Sequence, residues 1–305
     1  MTHLPYNSTL DFLKSKIPFT PLCVIILGTG LGELADEVKG SSEFGIRSSE
    51  FRTPNSALRT PIEIPFGEIP GFVPATAPFH HGFLVAGYIN NVPVIVFKGR
   101  IHFYEGHSMQ QVVYPVRVAR MLGAKYLFVT NAAGSLNSSM DVGQLVNICD
   151  HINFMGTNPL IGANLLKEPV LIDGKSVNKF GDRFPSLHNT YDTSLSELAM
   201  NIAKENNISL KKGIYCAVSG PSLETKAECL MIKNLGADLV GMSTVPEVIA
   251  AIHCGMKVFA VSVVTNLSNI FHSNPHTQDE IRKNADKASS QLILLIKEML
   301  LRIKN

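Results

Sequence analysis

LCVIILGTGLG, residues 22–32, is a six-residue apolar run closed by three glycines. A strand that is apolar at every position, rather than at alternate ones, is buried on both faces and belongs inside a covered sheet. Four further runs read the same way: VPVIVF (92–97), YLFVT (126–130), GIYCAV (213–218) and VFAVSVV (258–264), with another strand over Phe83–Ile89. Apolar residues at helical spacing predict helices between them, over Met109–Leu122, Ser194–Asn206, Glu224–Leu235, Pro246–His253 and Thr277–Ile303. Gly123, Gly236 and Gly255 stand where a glycine ends a helix. Alternating strands and helices indicate an α/β sandwich. Two stretches, near 41–61 and 161–179, break the rhythm. They read as surface insertions in one domain spanning 1–305, because the strands on either side need each other to complete a sheet.

The composition narrows the classes. With 305 residues, 45% apolar and 17% charged, the chain is neither disordered nor fibrous, and a net charge of +2 provides no field for nucleic acid or an anionic membrane. The five cysteines form no CxxC pair and three lie in apolar runs, so they read as buried free thiols. The N-terminus, MTHLPYNSTLDF, lacks a basic segment followed by an apolar one, and no apolar stretch reaches the ~18 residues of a membrane span. A soluble, cytoplasmic protein is the expectation.

Polar clusters follow the strands. Gly28-Thr29-Gly30-Leu31-Gly32 can turn sharply and present N–H groups to an anion, helped by a following helix start, or can be a plain tight turn. It matches neither the dinucleotide fingerprint nor a Walker loop. His80 and His81 are adjacent and so point to opposite faces of an extended chain. With no carboxylate or cysteine at ligand spacing, they do not read as a metal site. Arg100 and His102 alternate after a strand, so both face one side, and an Arg fork beside an imidazole donor suits phosphate. Glu105, three residues on, is placed to orient the His102 ring. TNAAGS (130–135), SVVTN (262–266), GPSLET (220–225) and GMST (241–244) are the other clusters, expected to converge on one edge of the sheet.

Together GTGLG (28–32), GRIHFYEG (99–106), TNAAGSLN (130–137), DHINF (150–154), GDRFP (181–185), GPSLET (220–225) and GADLVGMSTVPEVIAAIHCG (236–255) resemble the trimeric purine nucleoside phosphorylases. The resemblance implies a single α/β domain with a mixed central sheet covered by helices on both faces. It implies phosphorolysis of 6-oxopurine nucleosides (inosine, guanosine and their deoxy forms) to free purine and ribose 1-phosphate, in purine salvage. Phosphate is already a nucleophilic anion, so the site needs an anion cradle and donors for the departing base rather than the paired carboxylates of a water-using glycosidase. The phosphate site then falls on Thr29, His80, Arg100, His102, Ala132 and Ser243. The base site falls on Ala133, Gly134, Leu223, Glu224, Val240 and Asn266. The ribose site falls on Tyr104, Met242, His276 and, from a neighbouring subunit, Phe184. Asn266, Glu224 and His102 carry the catalysis. The resemblance also implies a homotrimer with no metal or cofactor, inorganic phosphate serving as co-substrate, and no nucleic-acid or membrane partner.

The sequence departs from that family pattern in places. Thr29 stands where a serine is usual, Leu223 where an aromatic stacks on the purine, and Phe83 where mammalian members carry arginine. The shorter segment Leu267–Gln278 leaves both His276 and Gln278 open for the ribose 5′-hydroxyl. Two other readings stay open: a methylthioadenosine-type phosphorylase, against which Asn266 counts, and a nucleoside-binding paralogue without turnover, against which the presence of Arg100, His102 and Asn266 counts.

Overall fold

The computed structural model describes residues 4–41, 60–77, 82–271 and 277–303. The run at 22–27 forms strand β1 (Cys23–Ile26), and its side chains divide between two cores. Val24 and Ile26 enter one, while Cys23, Ile25 and Leu27 enter the other. β4 (Val92–Lys98) divides the same way, with Ile95 and Phe97 on one side and Val94 and Val96 on the other. Burial on both faces is the physical cause of the unbroken apolarity. Helices α1 (Tyr6–Lys16), α3 (Tyr114–Leu122) and α6 (Val245–His253) cover the first face. Helices α4 (Thr193–Glu205) and α8 (Ser289–Ile303) cover the second.

The remaining strands are β2 (Ile62–Pro65), β3 (Phe83–Ile89), β5 (Tyr126–Ser135), β6 (Leu145–Asn153), β9 (Leu210–Ala217), β10 (Leu239–Gly241) and β11 (Lys257–Leu267), with β7 and β8 in a separate hairpin. They make a nine-stranded mixed sheet ordered β10-β9-β6-β11-β5-β1-β4-β3-β2. β4, β1, β5 and β11 are parallel neighbours, whereas β6 is antiparallel to β11. β10 also pairs antiparallel with β5, Leu239 opposite Ser135 and Val240 opposite Gly134. That pairing closes β5, β11, β6, β9 and β10 into a ring.

Several expectations are corrected. The polar clusters do not share one sheet edge: β9 and β10 run against β5, and ring closure brings their ends to those of β4, β5 and β11. Residues 131–135 and 265–267 lie within β5 and β11, extended because these two strands pair along nearly their whole length. The single helix expected at 109–122 is two, α2 (Met109–Val112) and α3, because Pro115 lacks the N–H to continue a helix but suits the first turn of a new one. The expected helix at 277–303 divides into α7 (Gln278–Asp286) and α8. The insertion near 161–179 is an ordered hairpin of β7 (Leu165–Ile172) and β8 (Lys175–Lys179). Two arginines one turn apart on α3 hold it, Arg117 donating to Asn164 Oδ1 at 2.8 Å and Arg120 pairing with Asp173. The insertion near 41–61 lies almost wholly outside the described residues. Four cysteines are buried, but Cys149 is exposed, where a bulge between Ile148 and Asp150 shifts the register of β6. Among the described residues, no helix is long and apolar enough to cross a membrane.

Candidate active site

The chain ends of β1, β4, β5, β10 and β11 surround a pocket that opens to solvent. Gly28 ends β1 against β5: a Cβ there would lie 2.6 Å from the Asn131 Cα, so only glycine allows the two backbones to approach. Its N–H donates to Thr130 Oγ1 at 3.0 Å, and Thr29 follows into the pocket. The helix after this turn is a 3-10 segment, Gly32–Glu37, not the α-helix whose dipole was expected.

Arg100 anchors one wall. It is 3% exposed and pairs through Nε with Glu247 Oε1 at 2.8 Å, itself 2% exposed. Nη1 donates to Ser243 Oγ (2.9 Å) and Nη2 to the Thr130 carbonyl (3.1 Å), so the guanidinium plane is fixed from three elements. His102 stands beside it, stacked on Tyr104 with ring centroids 4.6 Å apart. Its Nδ1 lies 2.9 Å from Glu105 Oε1, which also accepts from the His102 backbone N–H at 2.7 Å. The second Glu105 oxygen accepts from the backbone and hydroxyl of Thr76 and from the Ala77 N–H.

These contacts set the charge states. Burial alone would raise the Glu105 carboxyl, but hydrogen bonds from His102 and Thr76 outweigh it and hold the group below the usual carboxylate range. Burial pushes the His102 imidazole down against the opposing pull of Glu105. The ring is therefore neutral at pH 7. An ionised Glu105 can only accept, so Nδ1 carries the proton and Nε2 is the acceptor nitrogen. With that tautomer, a hydrogen phosphate would meet Nε2 with its own P–OH. Burial also raises the Tyr104 phenol to about 12, with Glu105 adding to the effect.

The opposite wall is shaped for a flat ring. β11 bulges between Val264 and Asn266, re-aiming Asn266 toward Gly134, where a Cβ would come within 3.1 Å of Nδ2. Thr265 Oγ1 donates to Asn266 Oδ1 at 3.1 Å and fixes the amide. Glu224 faces the same space, its backbone carbonyl held by Asn269 Nδ2 at 2.7 Å and its carboxyl raised by burial and by nearby Glu228. Met242 closes one side by packing on Gly220, where any Cβ would lie 2.4 Å from its sulfur.

The pocket thus gathers Thr29, Arg100, His102, Ala132 and Ser243 with Ala133, Gly134, Leu223, Glu224, Val240 and Asn266, and with Tyr104 and Met242. Phe184 is 89% exposed and lines no part of this chain's pocket. His80, His276 and the side chain of Gln278 lie outside the described residues. Phe83 packs against the second core instead of the pocket. Gly241 and Thr265, from the GMST and SVVTN clusters, also line the pocket, and Ile281 does so unanticipated. Glu247 was missed because it sits in an apolar helix, and only the fold reveals its proximity to Arg100. Among the described residues, no group of three or more His, Cys, Asp or Glu is placed to hold a metal ion.

Fold and pocket define an α/β protein in which an arginine-centred anion subsite adjoins a ring-binding subsite. The model of the phosphorylase superfamily matches residues 24–301. The chain is 42% identical over 286 residues to purine nucleoside phosphorylase 1 of Bacillus subtilis, covering 94% of each chain. It is 39% identical to the purine nucleoside phosphorylase of Bos taurus over 87% of this chain and 82% of that one. Among solved structures, Schistosoma mansoni purine nucleoside phosphorylase in complex with adenosine superposes with a TM-score of 0.81 at 34% identity, covering 98% of this chain and 96% of that one. The inosine complex of the same protein gives 0.81 at 34% identity, covering 97% and 95%. The chain belongs to the phosphorylase superfamily, among its purine nucleoside phosphorylases, which are transferases of nucleoside metabolism.

Proposed function

We propose that the protein cleaves 6-oxopurine nucleosides with inorganic phosphate, releasing free purine and ribose 1-phosphate in cytoplasmic purine salvage. The observation that carries this reading is the adjacency, in one pocket, of the Arg100–His102–Ser243 wall and the Glu224–Asn266 wall. Phosphate sits against Thr29, Arg100, His102, Ser243 and the Ala132 backbone, with His80 completing the cradle. The ribose lies between Tyr104 and Met242, with His276 at its 5′ end. Ala133, Gly134, Leu223 and Val240 line the base. The C1′–N9 bond breaks as a phosphate oxygen bonds to C1′, and the purine leaves with the N9 electron pair while N7 gains a proton from solvent, balanced by the proton that hydrogen phosphate gives up on becoming the ester. Asn266 stabilises that leaving group at N7 and O6, and Glu224 accepts from N1–H. No metal or cofactor takes part, and neither nucleic acid nor membrane is a partner. Phe184, exposed and absent from the lining of its own pocket, fits a homotrimer in which it completes a neighbour's ribose site.

Asn266 decides the base. Its amide accepts from N7–H through oxygen while donating to O6 through nitrogen; a 6-amino group would meet that nitrogen donor to donor, and adenine has no N1–H for Glu224. The Schistosoma relative has been crystallised with adenosine as well as inosine, so the test must read turnover rather than occupancy. Inosine and guanosine should exceed adenosine in phosphate-dependent kcat/KM by at least two orders of magnitude, and Asn266→Asp should narrow or reverse the order. Equal efficiency on adenosine and inosine in the unaltered protein would overturn the assignment.

A further inference from the structure

Ser243 enters the pocket from an unusual backbone. Six non-glycine residues among those described have positive φ, and five of them are Asn or Asp, the types that tolerate it. The sixth is the β-branched Thr244, at φ 72° and ψ −54°. Val245 N–H donates to the Ser243 carbonyl at 2.8 Å, so Thr244 is the centre of a γ-turn of the rare, strained hand. Such a conformation persists only where its surroundings hold it.

A chain of buried polar side chains does the holding. Ser262 Oγ donates to Asn131 Oδ1 at 2.7 Å, and Asn131 Nδ2 donates to Thr244 Oγ1 at 2.8 Å. Thr244 Oγ1 lies 3.1 Å from Ser243 Oγ, which also accepts from Arg100 Nη1 at 2.9 Å. Asn131, Thr244 and Ser262 are each at most 1% exposed, and neither Asn131 nor Thr244 lines the pocket. A hydroxyl has one proton and two lone pairs. Thr244 is wholly buried and its other side-chain partner, the Asn131 amide, is a donor, so its own proton is paired only if it goes to Ser243. Both lone pairs of Ser243 are then filled, by Thr244 and by Arg100, and its proton has two acceptors in reach, the Tyr215 hydroxyl beside it and an anion in the pocket, of which the charged one is the stronger.

We infer that Asn131 and Thr244 are positioning residues that make the Ser243 hydroxyl a committed donor to the anion in the pocket. The inference rests on the phosphate reading of that wall. Ser262, Asn131 and Thr244 pass one donor direction outward from the core, and the strained turn places its last member beside Arg100. A relay of opposite polarity would turn the Ser243 proton inward and present an oxygen lone pair to the anion.

The test is phosphate binding by titration calorimetry together with KM for phosphate and for inosine, in four variants. Thr244→Val keeps the shape and removes the hydroxyl. Asn131→Asp replaces the amide donor by an acceptor and reverses the relay. Both should raise the phosphate KM and Kd by about tenfold or more, as expected for a lost hydrogen bond to a charged group, with inosine KM within about twofold. Thr244→Ser, which retains the hydroxyl, should restore the parental phosphate KM. Ser243→Ala reports on the reading beneath. If it leaves the phosphate KM unchanged, the phosphate reading of Ser243 and this inference fall together. If Ser243→Ala raises the phosphate KM but Thr244→Val and Asn131→Asp do not, the relay alone is wrong. Equal rises in both KM values with a matching loss of thermal stability would also overturn it, since that marks a merely structural role.

Discussion

Glu247→Gln removes one charge from a pair that water does not reach, and its consequence for phosphate has a definite sign. Arg100 and Glu247 are 3% and 2% exposed at 2.8 Å. Removing one partner of a buried pair costs about 3–5 kcal/mol, because the other charge stays behind. Here the lower end applies: Arg100 keeps Ser243 and the Thr130 carbonyl as acceptors, and a glutamine oxygen can still accept. At roughly 2–4 °C per kcal/mol for a domain of this order of size, about 3 kcal/mol lowers Tm by roughly 6–12 °C without phosphate. Phosphate then supplies the missing negative charge. At the proposed phosphate site the carboxylate and the phosphate would share one guanidinium in the parent and repel each other, so the variant should bind phosphate more tightly and gain more Tm from it. A tenfold gain in affinity adds about 1.4 kcal/mol at saturation. Calorimetric melting of both proteins, with and without saturating phosphate, measures each quantity. A phosphate-free Tm within about 2 °C of the parent, or the same phosphate increment in both, would refute the argument.

Two further outcomes follow from the site. Burial lowers the His102 pKa, so below about 6.5 the unfolded chain binds more protons than the folded one. The stability this ring contributes is complete above that pH and is lost progressively toward its lower folded value. Glu105, held low in the fold, adds a second loss as pH falls below about 4.5. His151 and His253 are also depressed by burial, so only the difference between parent and His102→Asn isolates this ring, and equal slopes of Tm against pH between about 6.5 and 5 would contradict it. Leu223, 45% exposed on the pocket wall, would offer a purine an aliphatic surface with no π-face to stack on it. Because base stacking is worth about 1–3 kcal/mol, Leu223→Phe should lower inosine KM and hypoxanthine Kd severalfold with kcat nearly unchanged, and a rise in both would show a pocket repacked around leucine.

The sequence was most legible where one residue's environment alone dictates its type. β1 and β4 read clearly because all of β1 and Val94–Phe97 of β4 are buried, on one face or the other, so no polar residue interrupts those runs. Most pocket residues lie in polar clusters legible at strand ends, where a ligand needs open backbone, and the resemblance to the family assigned each its place. The local spacing of His102 and Glu105 sufficed to suggest their hydrogen bond, since three residues of 3-10 turn bring them together. Elements whose residues face water were not legible: β7 and β8 read as loop because LLKEPVLI and KSVNK are largely exposed strands. β10 is three residues long and exists through its pairing with β9 and β5, a closure no local window contains.

The same reasoning explains why the polar groups behind the pocket went unseen. Glu247 is a lone carboxylate in VPEVIAAIH, and nothing within that helix calls for it. What calls for it is Arg100, which the fold delivers from the end of β4. Asn131 reads as one small polar residue in TNAAGS, yet its two bonds go to partners 113 and 131 residues further along the chain. A residue that touches ligand must suit the ligand, and that chemistry is visible in its type and its neighbours. A residue that orients another must suit a partner chosen by topology. The parallel pairing of β5 with β11 brings Ser262 beside Asn131, and the antiparallel pairing of β5 with β10 brings the turn at Thr244 to the same place. Direct contacts with substrate are therefore written locally, whereas the polarity of the donors that meet it is set by which strands become neighbours.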